Sequence, residues 1–356
     1  MRTSVRGTLV CVLLLLPAVA RAQAIVVDHT SIGLFDQIPD QYLQAARNLR
    51  FLFMDRSVGV NTNDALNCLT ASAYGTSASP CRQDYQFVNG AWQQTLRNDA
   101  AKAAGQVHPY IDFSPSPTRY NRSNWDFYLF YGPWETMTSN FVSGLHNSSI
   151  PAQEHPTNAN VQVNPLNYDV VSFQFSYLNV DNGSRIMEFF SNRSGELNDA
   201  YELEREIADH LTSNGNRKFV YFTTSLARSI GTQVSMDFNA RMREWCRTTN
   251  CILFDFADIE AYDMAGRPCY DDRDGVPYTQ PNNASLNENY PDDGLNIPAI
   301  CQEKTTEAIN GHLTTAQGNI SIAKGLWVLL ARIAGWNPGG TSQGPAPPTN
   351  IRILGE

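Results

Sequence analysis

Short apolar runs alternate along this chain with longer segments whose apolar residues recur every three or four positions. Four runs rich in β-branched and aromatic residues predict buried strands, at residues 50–54, 170–177, 218–224 and 252–256. Helical spacing predicts helices at Tyr42–Leu49, Asn61–Leu69, 125–145, 195–215, 235–250 and 314–336. Strands that are apolar on both faces and alternate with helices predict a doubly wound α/β fold, with a mostly parallel sheet in three α/β/α layers.

The beginning of the chain has the composition of a secretory signal peptide. Arg2 and Arg6 precede an apolar run, and a series of alanines up to Ala24 offers cleavage sites. We therefore expect a signal peptide at residues 1–24, an α/β domain at residues 25–337 and a Pro/Gly-rich tail at residues 338–356. Such a protein is secreted and extracellular or periplasmic, and no second apolar stretch is long enough to cross a membrane.

The charge balance argues against a nucleic-acid partner. The 356 residues include 26 basic and 35 acidic side chains, which gives a formal net charge of −9. Loss of the predicted signal peptide removes three arginines and no acidic residue, so 23 basic side chains face 35 acidic ones and the net charge becomes −12. A protein this acidic gains no free energy from releasing counterions of a phosphate backbone.

The cysteines predict disulfides. Six remain after the predicted signal peptide: Cys68, Cys81, Cys246, Cys251, Cys269 and Cys301. An even number in an exported chain favours disulfides, and of the fifteen pairings we favour the sequential one because the first two pairs each enclose a short polar loop. The sequence contains no CxxC pair among them and no histidines beside them, so a cysteine-bound zinc ion is not expected.

A serine follows the first predicted strand, in the segment FMDRSVG at residues 53–59. A turn from a strand into a helix exposes the hydroxyl of Ser57 beside backbone N–H groups, and Gly59 permits close approach of a substrate. The carboxyl edge of the sheet, where ligands bind in open α/β folds, lies at the same place. The alternative interpretation is that Ser57 only caps the helix.

Among the six histidines, His312 is the best candidate for a general base, because it lies in a loop just before the last predicted helix. Such a loop can fold back over the carboxyl edge of the sheet and bring an imidazole to Ser57. The alternative is a surface histidine near the start of a helix.

Together these segments resemble the SGNH (GDSL-like) hydrolase superfamily, over roughly residues 48–337. The resemblance implies a flavodoxin-like α/β/α fold, and it implies that Ser57 is the nucleophile and His312 the base. The most specific part is the segment GHLTTAQGNISIAKGLWVLLARIAGW around His312. It also implies an oxyanion hole formed by the backbone N–H of Ser57, by Asn179 and by a glycine, for which Gly132 and Gly105 are the candidates.

The acidic member of the site departs from the pattern of this superfamily, since Ile309 and not an aspartate stands three residues before His312. We expect Asp292 or Asp293 to orient the imidazole instead, because a triad acid acts by orientation and by stabilising the imidazolium. Two further polar residues lie close to the histidine in sequence, Glu307 and Asn310.

Acidic segments leave a bound calcium ion as an open alternative to a site without cofactors. The segment YDDRDG at residues 270–275 and the pair Asp292–Asp293 offer carboxylates, but their spacing does not supply the six oxygen ligands that calcium requires. Apart from calcium, we expect no cofactor.

These features predict an exported serine esterase that hydrolyses acyl esters of carbohydrate, with acetyl as the expected acyl group. The substrate would be an acylated polysaccharide, such as acetylated xylan or pectin, or a small ester. The alternative is a non-catalytic SGNH-like module that binds glycans or has a structural role outside the cell. A metal-dependent hydrolase built on the acidic segments is a third hypothesis, and the oligomeric state stays open.

Overall fold

The computed structural model describes residues 24–88, 91–96, 113–180, 203–213, 217–227, 233–270, 298–301, 303–307 and 310–339. Nearly all of the predicted signal peptide, and residues 340–356 of the predicted tail, lie outside these ranges. The proposed division into signal peptide, domain and tail therefore stays a prediction.

A mostly parallel sheet forms the centre of the fold. The described residues contain the strands β1 Ile25–Val27, β2 Phe51–Asp55, β3 Gln83–Val88, β4 Ala91–Leu96, β5 Trp125–Leu129, β6 Ile150–Glu154, β7 Ala159–Val163, β8 Val170–Phe173, β9 Lys218–Phe222 and β10 Ile252–Phe254. Eight of them form one sheet in the order β1-β10-β9-β8-β2-β5-β6-β7, while β3 and β4 form a separate hairpin. The first six strands of that order are parallel, and β6 and β7 are antiparallel at one edge. The predicted α/β class and mostly parallel sheet are confirmed.

Helices cover both faces of this sheet. They are α1 Asp40–Asn48, α2 Ser57–Leu69, α3 Trp134–Asn147, α4 Tyr177–Val180, α5 Leu203–Ile207, α6 Gln233–Thr249, α7 Phe256–Ala261 and α8 Ala316–Ile333. On one face α1, α2, α7 and α8 pack with Phe51 and Phe53 of β2, and on the other face α3, α5 and α6 pack with Leu52 and Met54. Successive side chains of a strand point to opposite faces, so β2 contributes to both cores. The arrangement is compatible with three α/β/α layers.

Several element boundaries differ from the predicted ones. The helix predicted over residues 125–145 is wrong at its start, since residues Trp125–Leu129 form β5 beside β2 and helix α3 begins only at Trp134. The strand predicted over 170–177 ends at Phe173, and α4 begins at Tyr177. The pattern also misses β1 and the antiparallel hairpin β6–β7 at the two edges of the sheet.

The strand order reverses beside the carboxyl end of β2. From β2 the chain continues to β5 on one side, and it later returns to β8 on the other side. Ligands of open α/β sheets bind where the strand order reverses in this way. Ser57 follows β2 directly and therefore lies at this position.

Three disulfides join the six cysteines in the sequential pairing favoured above: Cys68–Cys81, Cys246–Cys251 and Cys269–Cys301. Such bonds are typical of proteins from oxidising compartments. In the part of the chain that the structure describes, no helix has the length and apolar character needed to span a membrane.

Candidate active site

Ser57 is the first residue of helix α2 and follows the central strand β2. Arg56 takes the N-cap position without a capping bond from its side chain, so Ser57 is not the helix cap. The hydroxyl Oγ of Ser57 lies 2.8 Å from Nε2 of His312. Because the first N–H groups of a helix have no acceptor within the helix, this position combines a hydroxyl, a base and nearby backbone donors.

His312 reaches Ser57 from the loop before helix α8. The backbone N–H of Leu313 donates a hydrogen bond of 3.1 Å to Oδ1 of Asn61, which fixes this loop to helix α2. The ring of Tyr177 meets the imidazole edge-on, with the ring centroids 6.3 Å apart. These contacts restrict the position of the imidazole beside the serine.

The carboxylate of Glu307 lies on the other side of the imidazole. Its two oxygens are 2.9 and 3.0 Å from Nδ1 of His312, and the backbone N–H of His312 donates to Oε2 at 3.0 Å. A carboxylate at Nδ1 favours the tautomer that carries its proton there, which leaves Nε2 as the acceptor for the hydroxyl of Ser57. The three side chains can therefore move a proton from the serine to the imidazole.

The pKa values of Glu307 and His312 shift as expected for an ion pair. Burial by itself would raise the pKa of Glu307, but the hydrogen bonds from His312 outweigh burial and the pKa is lowered. The hydrogen bond that His312 donates to the carboxylate of Glu307 raises the pKa of His312, against the lowering effect of burial. Glu307 is therefore a charged partner that stabilises the imidazolium form.

The sequence pattern does not assign this role to Glu307. The predicted acids Asp292 and Asp293 lie outside the described residues, as do Gly105 and residues 271–275 of the acidic segment. Among the residues that the structure describes, Glu307 is the carboxylate in contact with Nδ1 of His312. The available signal was its closeness in sequence, although it stands five residues before the histidine and not three.

The structure brings Asn179 and Gly132 together. Asn179 lies in the short helix α4 after β8, and Gly132 follows β5, so the two flank the carboxyl end of β2. The buried Asn179 donates from Nδ2 to the carbonyl of Gly132 at 2.7 Å, and its Oδ1 accepts from the backbone N–H of Ser176 at 2.9 Å. Gly132 has a φ of 144°, a conformation that favours glycine.

Asp55, the last residue of β2, is fully buried behind the serine. Burial raises the pKa of Asp55 to about 7, although the backbone N–H groups of Arg56 and Gly59 partly offset this effect. Neither carboxylate oxygen has a hydrogen bond of standard geometry within the described residues.

Gly59, in the first turn of α2, lies against the sheet. A Cβ at Gly59 would lie 2.7 Å from Cβ of Asp55 and 2.5 Å from the ring of Phe127. The glycine therefore serves the close packing of α2 on the sheet.

The burial of Asp55 leads to a stability prediction. Its carboxyl pKa is about 7 in the folded protein, against about 3.9 in an unfolded chain, so the folded state binds more protons between these values. The free energy of unfolding should therefore fall as the pH rises through this window, by at most about 4 kcal/mol from this group. In Asp55→Asn, we expect the free energy of unfolding not to show this fall with pH. The variant should therefore be more stable than the wild type near pH 8.

Urea unfolding with the disulfides intact, at about pH 5 and pH 8, measures this effect. Asp40→Asn, at an exposed aspartate that pairs with Arg119, is the matched control and should keep the pH dependence of the wild type. An equal loss of stability in Asp55→Asn and the wild type would contradict the prediction.

A buried polar contact supports the loop of His312 from behind. Glu260 is fully buried, its Oε2 accepts from the backbone N–H of Leu226 at 2.5 Å, and burial raises its pKa well above the usual value. A Cβ at Gly311 would lie 1.8 Å from the carbonyl oxygen of Leu226. Only glycine allows the loop to approach this closely, which explains why a glycine precedes His312.

Three side chains follow the carboxyl ends of the neighbouring strands β2, β5 and β8, namely Arg56, Tyr131 and Leu178. The guanidinium carbon of Arg56 is 5.7 Å from the ring centroid of Tyr131, and the Tyr131 side chain is 44% exposed. Leu178, next to Asn179, is also exposed. We call these three residues at the strand ends the mouth; they comprise an aromatic ring in contact with a positive charge, and an apolar side chain that follows the neighbouring strand β8.

Comparison with known proteins gives no family. No protein-family model matches the chain, and neither a curated protein nor a solved structure matches it. The functional conclusion therefore depends on the geometry of the site.

Proposed function

We propose that this chain is an exported serine esterase of the SGNH (GDSL-like) type, with a flavodoxin-like arrangement of its α/β/α layers. The observation that carries the proposal is the continuous contact from Glu307 through His312 to Ser57, with distances of 2.9 and 2.8 Å. A serine hydroxyl is a poor nucleophile until a base takes its proton and a third group orients the base. All three groups have the required order and geometry, which supports the proposal.

In the proposed reaction, Oγ of Ser57 attacks the ester carbonyl carbon while its proton passes to Nε2 of His312. The imidazolium then gives this proton to the leaving alcohol as the carbon–oxygen bond of the ester breaks. Water attacks the resulting acyl-serine with His312 again as base, which releases the carboxylic acid and restores the hydroxyl. Glu307 keeps the imidazole oriented and stabilises its charged form.

The oxyanion of each tetrahedral intermediate requires donors beside Ser57. We assign this role to the backbone N–H of Ser57, to the side-chain amide of Asn179 and to the backbone N–H of Gly132. The amide nitrogen of Asn179 carries two hydrogens, and its second neighbour in the structure is the weakly accepting thioether of Met137 at 3.4 Å. An oxyanion is a much stronger acceptor than a thioether and would replace that contact.

The mouth supports carbohydrate as the class of alcohol. An exposed tyrosine presents a flat apolar face with a polar tip, a combination that suits the faces and hydroxyls of a sugar ring. Arg56 adds a charge that attracts carboxylates, such as those of uronic acids in plant polysaccharides. The three disulfides and the predicted signal peptide support action on an extracellular polymer, with acetyl as the acyl group.

Release of acetate from acetylated xylan oligosaccharides tests the proposal. The purified chain should release acetate and also hydrolyse p-nitrophenyl acetate, with rates that a chelator leaves unchanged. Deacetylated xylan is the blank. Absence of hydrolysis on both substrates would overturn the esterase proposal in favour of a binding module, while loss of activity to the chelator would favour a metal-dependent hydrolase. Hydrolysis of the small ester alone would reject only the choice of substrate.

The raised pKa of His312 predicts the pH dependence of this activity. The base must be neutral to accept a proton, so kcat/KM should rise with pH through a midpoint above the usual histidine value of about 6.5. A pH profile of p-nitrophenyl acetate hydrolysis measures the midpoint. A midpoint below the usual histidine value would contradict the ion pair with Glu307.

A further inference from the structure

A second group of side chains, all of metal-ligating types, lies far from the serine. We call it the His–Glu–His cluster, and it consists of His146, Glu206 and His210. Nε2 of His146 is 2.7 Å from Oε2 of Glu206, and Nε2 of His210 is 3.4 Å from the same oxygen. One ligand atom from each residue lies within 4.8 Å of the other two. Two imidazole nitrogens therefore converge on one carboxylate oxygen.

The fold builds this cluster from two separate elements. His146 is in the last turn of helix α3, whereas Glu206 is in α5 and His210 follows one turn later in a π-helical turn at Ala208–Thr212. Residues four apart on a helix share one face, so Glu206 and His210 point together towards α3. Turns of the π type occur frequently at functional sites.

The burial of the three side chains resembles that of a ligand site. The side chain of Glu206 is only 11% exposed, while those of His210 and His146 are 31% and 51% exposed. The carboxylate thus lies at the base of the cluster, and the two imidazoles form its open rim. A small ion from solvent can reach all three ligand atoms without a change of fold.

We infer that the His–Glu–His cluster binds one divalent transition-metal ion of the zinc class. Two imidazoles and one carboxylate are a ligand set that zinc prefers, and tetrahedral zinc with bonds of about 2.0–2.1 Å separates its ligand atoms by roughly 3.3 Å. Two of the separations are 2.7 and 3.4 Å and the third is within 4.8 Å, so side-chain adjustments bring all three to this value. Water would complete the coordination on the exposed side.

The position of the cluster separates this ion from ester hydrolysis. Helix α3 starts beside Gly132 at the carboxyl edge of the sheet, and its 14 residues extend about 21 Å to His146 at the opposite edge. The helix also packs on the face of the sheet opposite to α2 and Ser57. The ion would tie α3 to α5 and stabilise the folded chain without contact with the substrate.

Titration of the purified, chelator-treated protein with zinc chloride tests the inference. We expect one ion per chain by calorimetry, with a dissociation constant of about 10 μM or lower, and a raised melting temperature. His146→Ala, His210→Ala and Glu206→Gln should each weaken binding by about tenfold or more and remove the thermal shift. His155→Ala changes a histidine outside the cluster and should bind like the wild type.

A measurement on the wild type alone guards against variants that fail to fold. Zinc should protect His146 and His210 from modification by diethyl pyrocarbonate, and His155 should keep its reactivity. No saturable zinc binding up to about 100 μM, or unchanged binding in the three cluster variants, would overturn the inference. Because the readouts are binding, melting and modification, the result is independent of whether the chain hydrolyses esters.

Discussion

Replacing Ser57 with alanine is expected to lower kcat/KM for p-nitrophenyl acetate by about 10⁴-fold or more. The variant lacks the only atom that can form the acyl-enzyme in the proposed mechanism, and His312 loses its hydrogen-bond partner at 2.8 Å. Initial rates measured against the spontaneous hydrolysis of the ester give the size of the loss. The helix itself should be unaffected, because Ser57 does not cap it.

Ser143→Ala is the matched control for this experiment. Ser143 is an exposed serine in helix α3, on the other face of the sheet, and its replacement should leave the rate within about twofold of the wild type. Retention of wild-type activity in Ser57→Ala would show that the hydrolysis proceeds through another group.

Replacing Glu307 with glutamine is expected to lower kcat by about 10³- to 10⁴-fold with little change in KM. The amide nitrogen of glutamine can donate to Nδ1 of His312 and so favours the wrong tautomer, in which Nε2 carries the proton. The variant also loses the charge that raises the pKa of His312. The midpoint of the pH profile should therefore move to lower pH together with the loss of rate.

Two comparison variants separate this effect from general damage to the fold. Glu307→Asp keeps the charge but shortens the side chain, so it should retain more activity than Glu307→Gln and a raised midpoint. Glu244→Gln removes a carboxylate from a surface ion pair with Arg247 and should leave kcat unchanged. An unchanged kcat in Glu307→Gln would remove Glu307 from the mechanism and leave Asp292 and Asp293 as the candidate acids.

The fold class could be predicted because the strands are buried on both faces. Strand β2 and helix α8 are apolar over most of their length, so each must be buried between other elements of the fold. Strand β5 could not be assigned in the same way. Its apolar ends, Trp125 and Leu129, are four residues apart, a spacing that fits a helix as well as a strand. Pairing with β2 decides the outcome, and that pairing is a tertiary contact.

The candidate site could be predicted in part. The place of His312 before the last helix and the resemblance to the SGNH superfamily indicated it as the base, and the structure places its Nε2 2.8 Å from Oγ of Ser57. Ser57 follows a strand and precedes a helix, which places it at the edge of the sheet whatever the rest of the chain does. Glu307 is different, because its contact with His312 depends on the close approach of Gly311 to the carbonyl of Leu226. The spacing of residues along the sequence does not predict this tertiary contact.

The most direct test of the account is covalent labelling of the nucleophile with a fluorophosphonate, in which Oγ of an activated serine displaces fluoride from phosphorus. The account predicts one adduct per chain by intact mass, located on Ser57 by peptide mapping and abolished in His312→Ala, since activation requires the imidazole 2.8 Å away. Labelling of a different residue, or no labelling under conditions in which the ester is hydrolysed, would contradict it.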